Sequence, residues 1–223
     1  MRSPQKNSAN RRHNARGFSL LEMMVVVLIV LLVSSLGFIS LQPALKQERV
    51  SNAYNTVLSA MRLARDNAVA QRTSYMVVLN AATIPHTITV SPTFAGFNGA
   101  LKSTTYRLPD DIKFDVEPGI PTQSSKTPDS FGTGSKPIDF GYTASGAGAG
   151  GQNTIYFCPD GSAQDAAGGA GQCGGNLNSG VVYLARQGDL LSSRAITVWG
   201  ATGRIRGWRL YNQGAGGTVW TRQ

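Results

Sequence analysis

An apolar stretch near the N-terminus, Gly17 to Leu41, constrains the fold most; it reads GFSLLEMMVVVLIVLLVSSLGFISL. From Phe18 onward it is 24 residues long and contains one charged side chain, Glu22. A helix rises about 1.5 Å per residue, so this length matches a hydrocarbon core of about 30 Å. Residues 1–17 carry five basic and no acidic side chains. They are therefore predicted to stay in the cytoplasm, while the chain after Leu41 lies across the membrane.

Glu22 separates this stretch from two simpler kinds of segment. An ordinary secretory signal peptide has a shorter apolar run and no carboxylate at its start. A plain membrane anchor explains the length but not the acid. A charge inside a spanning segment costs on the order of a few kcal/mol, so we expect Glu22 to have both a partner and a function.

The basic leader followed by Gly17, Phe18 and Glu22 resembles the class III signal of type IV pilins and type II secretion pseudopilins. The resemblance implies that a prepilin peptidase cleaves after Gly17 and methylates the new N-terminal residue, Phe18. It also implies that Glu22 pairs with the N-terminal amine of a neighbouring subunit during filament assembly. Such pairing neutralises both buried charges.

The chain is divided by this signal into three parts. Residues 1–17 are the leader, 18–42 are the transmembrane and filament-core half of a long helix, and 43–223 are a periplasmic or extracellular domain. Apolar residues continue at helical spacing after Pro43, which predicts an amphipathic second half of the helix ending near Arg72. This stripe is interpreted as core packing and consists of Val50, Tyr54, Val57, Met61, Ala64 and Ala68.

Short strand patterns separated by turns follow the helix. The strands are predicted within 74–81, 86–92, 106–117, 138–143, 153–161, 181–186, 194–200 and 204–211. Residues 118–137 are predicted to be loop, 144–151 a low-complexity Ala/Gly segment, and 212–223 a tail or a short edge strand. The fold class is therefore α+β, with one long N-terminal helix packed on an antiparallel β-sheet domain.

Three further segments resemble the GspH/FimT group of minor pilins and pseudopilins. They are the helix end LARDNAVAQRTSYMVVL, the strand and turn TIYFCPDGSA, and the closing GRIR at Gly203 to Arg206. The chain continues about 12 residues beyond Tyr211, further than is usual in that group, which leaves the strand order at the C-terminus open.

The cysteine and histidine content favours a non-catalytic exported domain. Cys158 and Cys173 are predicted to form a disulfide, because an exported domain meets an oxidising compartment. His86 is the one histidine after the leader, so no Ser/His/Asp or Cys/His set can assemble. We expect no enzyme activity, no cofactor and no metal site.

The net charge of +9 concentrates near the C-terminus once the leader is removed, because residues 186–223 hold six arginines against Asp189 alone. Residues 200–203 are predicted to form a hairpin tip, with Arg204 first on the outgoing strand. Arg204 and Arg206 then point to one face and into solvent, and Ile205 turns to the core.

The same segment resembles the DNA-binding FimT pilins, which carry a Gly-Arg-x-Arg motif at this place. The motif matches Gly203, Arg204 and Arg206, and implies a clamp for backbone phosphates. The supporting candidates are Arg194, Trp208 and Arg209.

Two functions fit the sequence. The first is a minor pilin of a type IV pilus that binds DNA for uptake in natural transformation. The alternative is a structural GspH-like pseudopilin of a type II secretion system, which needs no DNA. The predicted partners are other pilin subunits, a prepilin peptidase, the inner membrane before assembly, and DNA. The predicted location is the inner membrane as a single-pass protein with a periplasmic C-terminal domain, and then the pilus surface. The basic C-terminal segment favours the first function.

Overall fold

The computed structural model describes residues 18–94, 102–142 and 152–223. Gly17 and the leader lie outside these ranges, as does the low-complexity segment 144–151. The chain divides into two compact units, Met1–Leu45 and Lys46–Gln223.

A single helix, α1, is assigned from Leu20 to Gln71, and the two units share it. In the first unit the apolar side chains from Leu20 to Val33 are exposed, as is Phe18 before the helix. Glu22 lies in the first turn and is also exposed. In the described part of the chain, no helix combines the length and the mean hydropathy needed to cross a membrane.

The second part of α1 carries the apolar stripe that the sequence predicts. All six stripe residues are buried, and four of them, including Val57 and Met61, have no exposed surface. They pack in one cluster with residues of both sheets described below. The helix ends at Gln71, and Arg72 follows with a φ of 52°, which breaks the helical path. The amphipathic half of the helix is therefore confirmed.

Eleven strands follow in the described residues, and every pairing between them is antiparallel. The strands are β1 (Tyr75–Asn80), β2 (Thr87–Pro92), β3 (Thr104–Arg107), β4 (Ile112–Lys113), β5 (Ile138–Tyr142), β6 (Thr154–Phe157), β7 (Ala163–Gln164), β8 (Ser179–Arg186), β9 (Asp189–Trp199), β10 (Arg204–Asn212) and β11 (Thr218–Arg222). The α+β class predicted from the sequence is confirmed.

The strands form two sheets. The first has the order β3-β2-β1-β6-β7, and the second has β11-β10-β9-β8-β4, with β5 also paired to β8. The sequence pattern does not separate the two. Because β11 pairs with β10, the C-terminal segment contains an edge strand, which was one of the two alternatives for it.

The second sheet is covered on the face away from α1 by residues 118–137, here called the covering segment. This segment is irregular, as predicted, and has short 3₁₀ turns at Ser124–Lys126 and Pro128–Ser130. It buries Ile120 and Phe131 against a second cluster of apolar residues. The covering segment, which its composition correctly indicates to be loop, therefore also packs as a layer on the second sheet.

Cys158 and Cys173 form a disulfide with a Cα–Cα distance of 5.7 Å. The bond links the turn after β6 to a glycine-rich segment that contributes an isolated bridge, Ala167 with Cys173. The predicted pairing is confirmed in the structure.

Candidate nucleic-acid interface

The hairpin tip lies where the sequence predicts it, because β9 ends at Trp199 and β10 begins at Arg204. The first tip residue, Gly200, is held on both sides: its N–H donates to Ser179 Oγ at 2.9 Å, and its carbonyl accepts from Ala163 N–H at 2.7 Å. These bonds fix the tip against β8 and β7.

Gly203 has two structural reasons to be glycine. Its φ is +55°, in the left-handed region that side chains disfavour. A Cβ atom at this position would also lie 2.2 Å from the carbonyl oxygen of Gly161. The glycine of the Gly-Arg-x-Arg sequence therefore allows the tip to pack closely on the Cys158–Ser162 turn.

Arg204 is exposed, as predicted. Its guanidinium carbon lies 5.6 Å from the centroid of the Trp199 ring, a distance at which a cation is attracted to an aromatic face. The contact limits the side chain to the tip region while its charge still meets solvent. Arg204 can therefore bind an anion.

Arg206 does not face solvent freely, and the prediction that it does is wrong. Its Nη1 atom donates to Oδ1 of Asp129, and the two side chains are 18% and 5% exposed. The other oxygen of Asp129 accepts a hydrogen bond from Thr197 Oγ1. Asp129 belongs to the covering segment, which lies over this part of β10, so Arg206 is a member of a buried polar network.

Trp208 lies on the same face of β10 as Arg204 and Arg206, as expected from strand alternation. It is half-buried and packs against the second apolar cluster. Its Nε1 atom donates to Thr197 Oγ1 at 3.1 Å, so it joins the Asp129 network. The ring is therefore a packing element of this face of the sheet.

Arg194 and Arg209 occupy the opposite face of the second sheet, where they are direct partners across β9 and β10. Ile205, on that face, packs into the first apolar cluster, and Gly207 approaches Tyr54 of α1 so closely that a Cβ atom would lie 1.5 Å from its hydroxyl. The two arginines are thus separated from Arg204 by the sheet itself.

Arg194 is 2% exposed, and its Nη1 donates to the carbonyls of Ser192 at 3.0 Å and Ser193 at 3.1 Å. Burial, with a smaller contribution from Arg209, lowers the pKa of Arg194 to about 10, which leaves it charged at neutral pH. It holds the backbone of β9 and offers a ligand almost no surface, and its supporting role in DNA binding stays a prediction. Arg209 is half-buried, with its guanidinium carbon 5.1 Å from the Tyr211 ring centroid.

The structure brings to the tip two arginines that no motif of the sequence singles out. Arg62 and Arg65 of α1 line a pocket of about 620 Å³ together with Trp199, Arg204 and the tip backbone. Arg65 Nη2 donates to the carbonyl of Thr202 at 3.1 Å. In the sequence these arginines are only off-stripe residues of an amphipathic helix. Nothing local could indicate a neighbour 137 positions away.

The comparison with known families identifies the N-terminal signal. Residues 12–38 match the family model described as the prokaryotic N-terminal methylation motif. No curated protein and no solved structure matches the chain. The matched range contains Gly17, Phe18 and Glu22. The motif supports a type IV pilin-like protein that is processed by a prepilin peptidase and assembles with other pilins.

Proposed function

We propose that this chain is a minor pilin of a type IV pilus, of the GspH/FimT group, that binds DNA through its C-terminal hairpin tip. The observation that carries the pilin part is the methylation-motif match over residues 12–38. In this proposal the leader is removed after Gly17 and the amino group of Phe18 is methylated. Glu22 then pairs with the amine of a neighbouring subunit.

Residues 18–42 hold the subunit in the inner membrane before assembly, with the C-terminal domain in the periplasm. The proposal is supported by the exposed apolar side chains that cover the first unit from Leu20 to Val33, because such a surface requires an apolar environment. Assembly moves the same surface into the core of a filament that reaches the cell surface. In both places Glu22 needs a positive partner.

The DNA part rests on Arg204. Its guanidinium is exposed at a fixed hairpin tip, and the fork of an arginine matches the oxygens of a phosphate. Phosphate contacts carry no base information, so binding is expected to be independent of sequence and steeply dependent on salt. Arg206, engaged by Asp129, supports the position of β10 and is not a DNA ligand in this proposal.

The test is titration of the mature full-length chain, in a neutral detergent, against duplex DNA over a range of salt concentrations. Arg204→Gln is expected to lower the slope of log K against log salt by about 0.9, the contribution of one phosphate contact. Arg107→Gln is the matched control, since Arg107 is also exposed but lies on β3 of the other sheet. A parent chain that does not bind DNA at low salt contradicts the proposal, as does Arg204→Gln binding as well as the control.

The alternative function is a structural pseudopilin of a type II secretion system. One observation favours it: the second arginine of the Gly-Arg-x-Arg sequence has a structural role in the Asp129 pair, so half of the motif is explained without DNA. This alternative predicts no DNA binding at low salt and a loss of protein secretion when the chain is deleted. The DNA-binding pilin predicts a loss of DNA uptake instead.

A further inference from the structure

We propose that Arg62 and Arg65 of α1 form one phosphate-binding pocket with Arg204, so that the DNA backbone lies between the helix and the hairpin tip. The inference rests on the proposed DNA binding and extends it to a second structural element. The proposed site is then a cluster of three arginines from α1 and β10, and not a single exposed arginine on a strand.

The placement of the two helix arginines follows from helix geometry. Residues three positions apart lie on one face of a helix, so Arg62 and Arg65 are neighbours there. Arg62 is exposed and Arg65 is 36% exposed at its side chain. Both line the same pocket as Arg204. The pocket has a volume of about 620 Å³, which leaves ample room for a phosphate group and its adjoining sugar.

Arg65 is already oriented toward the tip. Its Nη2 atom donates to the carbonyl of Thr202 at 3.1 Å, which joins α1 to the loop between β9 and β10. The bond holds one edge of the guanidinium and reduces the conformational freedom that phosphate binding would otherwise have to remove. Arg62 is exposed and adds a second positive charge from the same helix face to the lining of the pocket.

The charged side chains that line the pocket have a net positive charge, which favours the binding of an anion. Three arginines line it against one carboxylate, Asp66. Asp66 pairs with Arg65 at 3.9 Å while its own side chain is 73% exposed, so the pair contributes little to stability. A phosphate would satisfy the arginines better than this single long ion pair does, and the negative charge of Asp66 would oppose its binding.

The aromatic side chains of the site are not free to bind bases. The Trp199 ring has Arg204 and Arg206 over it, at 5.6 Å and 5.9 Å, and the edge of Phe131 against it at a centroid distance of 5.0 Å. Recognition of single strands usually depends on open aromatic faces. The pocket therefore contacts the phosphodiester backbone and not the bases.

The test uses the mature full-length chain in neutral detergent and a short DNA duplex of random sequence. Arg62→Gln is expected to weaken binding several-fold at low salt and to lower the salt slope by about 0.9. Asp66→Asn is expected to strengthen binding several-fold, because it removes a negative charge from the pocket. Asp110→Asn and Arg107→Gln make the same changes in net charge at exposed positions outside it, and should alter affinity much less.

The outcomes separate this inference from the function on which it rests. If Arg204→Gln weakens binding while Arg62→Gln and Asp66→Asn match their controls, the pocket is wrong and DNA binding at the tip stands. If the parent chain does not bind DNA at low salt, the proposed function fails and this inference with it. A gain of affinity in Asp66→Asn cannot come from unfolding, so it supports the pocket independently of the loss-of-binding variants.

Discussion

Arg206 of β10 donates a hydrogen bond to Asp129 of the covering segment, a carboxylate that is only 5% exposed. The two arginines of the Gly-Arg-x-Arg sequence therefore lie in different environments. Arg204 is exposed at the hairpin tip, whereas Arg206, two residues later on the same face of β10, connects the second sheet to the covering segment.

We expect Arg206→Gln to lower the free energy of unfolding by about 3 kcal/mol, because it leaves Asp129 buried without a compensating charge. Arg204→Gln should change it by less than about 0.5 kcal/mol, as exposed substitutions usually do. Urea denaturation of the compact unit Lys46–Gln223 measures both. Equal stability of the two variants would show that the pair of Arg206 with Asp129 does not stabilise the fold.

The disulfide is expected to stabilise the same unit by about 3 kcal/mol, since Cys158 and Cys173 are separated by 15 positions. The double change Cys158→Ser with Cys173→Ser should lower the urea midpoint, and a reductant should lower that of the parent equally. The reductant should leave the double variant unaffected. Two reactive thiols in the unreduced, denatured parent would disprove the bond.

We expect the free energy of unfolding to decrease in acid because of His86. It is 6% exposed, and its Nδ1 accepts the Phe114 N–H at 2.8 Å. Burial, and then the charge of Lys113, lower the pKa of His86 below its usual 6.5, against a smaller opposite effect of Asp115. The unfolded chain therefore binds more protons, so the contribution is complete above pH 6.5 and declines as the pH falls through the folded pKa.

An NMR titration of the mature chain reads this directly, because His86 is the one histidine after the leader. Its imidazole signals should titrate below pH 6.5 in the folded state. His86→Gln should reduce the slope of stability between pH 7 and pH 5, while its amide oxygen can still accept the Phe114 N–H. A normal or raised imidazole pKa would contradict the burial argument.

The elements that follow from local pattern were predictable from the sequence. The stripe on α1 is predictable because apolar residues recur at helical spacing from Val50 through Val57 and Met61 to Ala68. The hairpin tip at 200–203 followed from its glycines and the alternating residues on both sides. The disulfide followed from having two cysteines in an exported chain.

Contacts between distant segments could not be predicted in this way. The proline, serine and glycine content of residues 118–137 correctly indicates irregular backbone, but it does not say that Asp129 lies over Arg206. Strand alternation places Arg206 on the right face and says nothing of what covers that face. The pocket with Arg62 and Arg65 depends on how α1 crosses the second sheet, which the close approach of Gly207 to Tyr54 helps to set.

Glu22 should be needed for assembly and not for folding. Glu22→Ala is expected to leave the unfolding of the C-terminal unit unchanged and the subunit in the membrane, because Glu22 lies in the other unit. The variant should be absent from purified filaments, where the parent is found by immunoblot. Glu48→Gln, an exposed acid of the same helix, is the control and should assemble normally. Normal incorporation of Glu22→Ala would exclude the proposed pairing.

Maturation and assembly as a pilin are read most directly from the mass of the mature N-terminal peptide. We expect a chain that begins at Phe18, 17 residues shorter than its precursor, with one methyl group on its terminal amine. Mass spectrometry of protein from the membrane and filament fractions gives the answer. A mature chain that keeps the leader, or that begins well inside the apolar stretch, would exclude processing as a pilin.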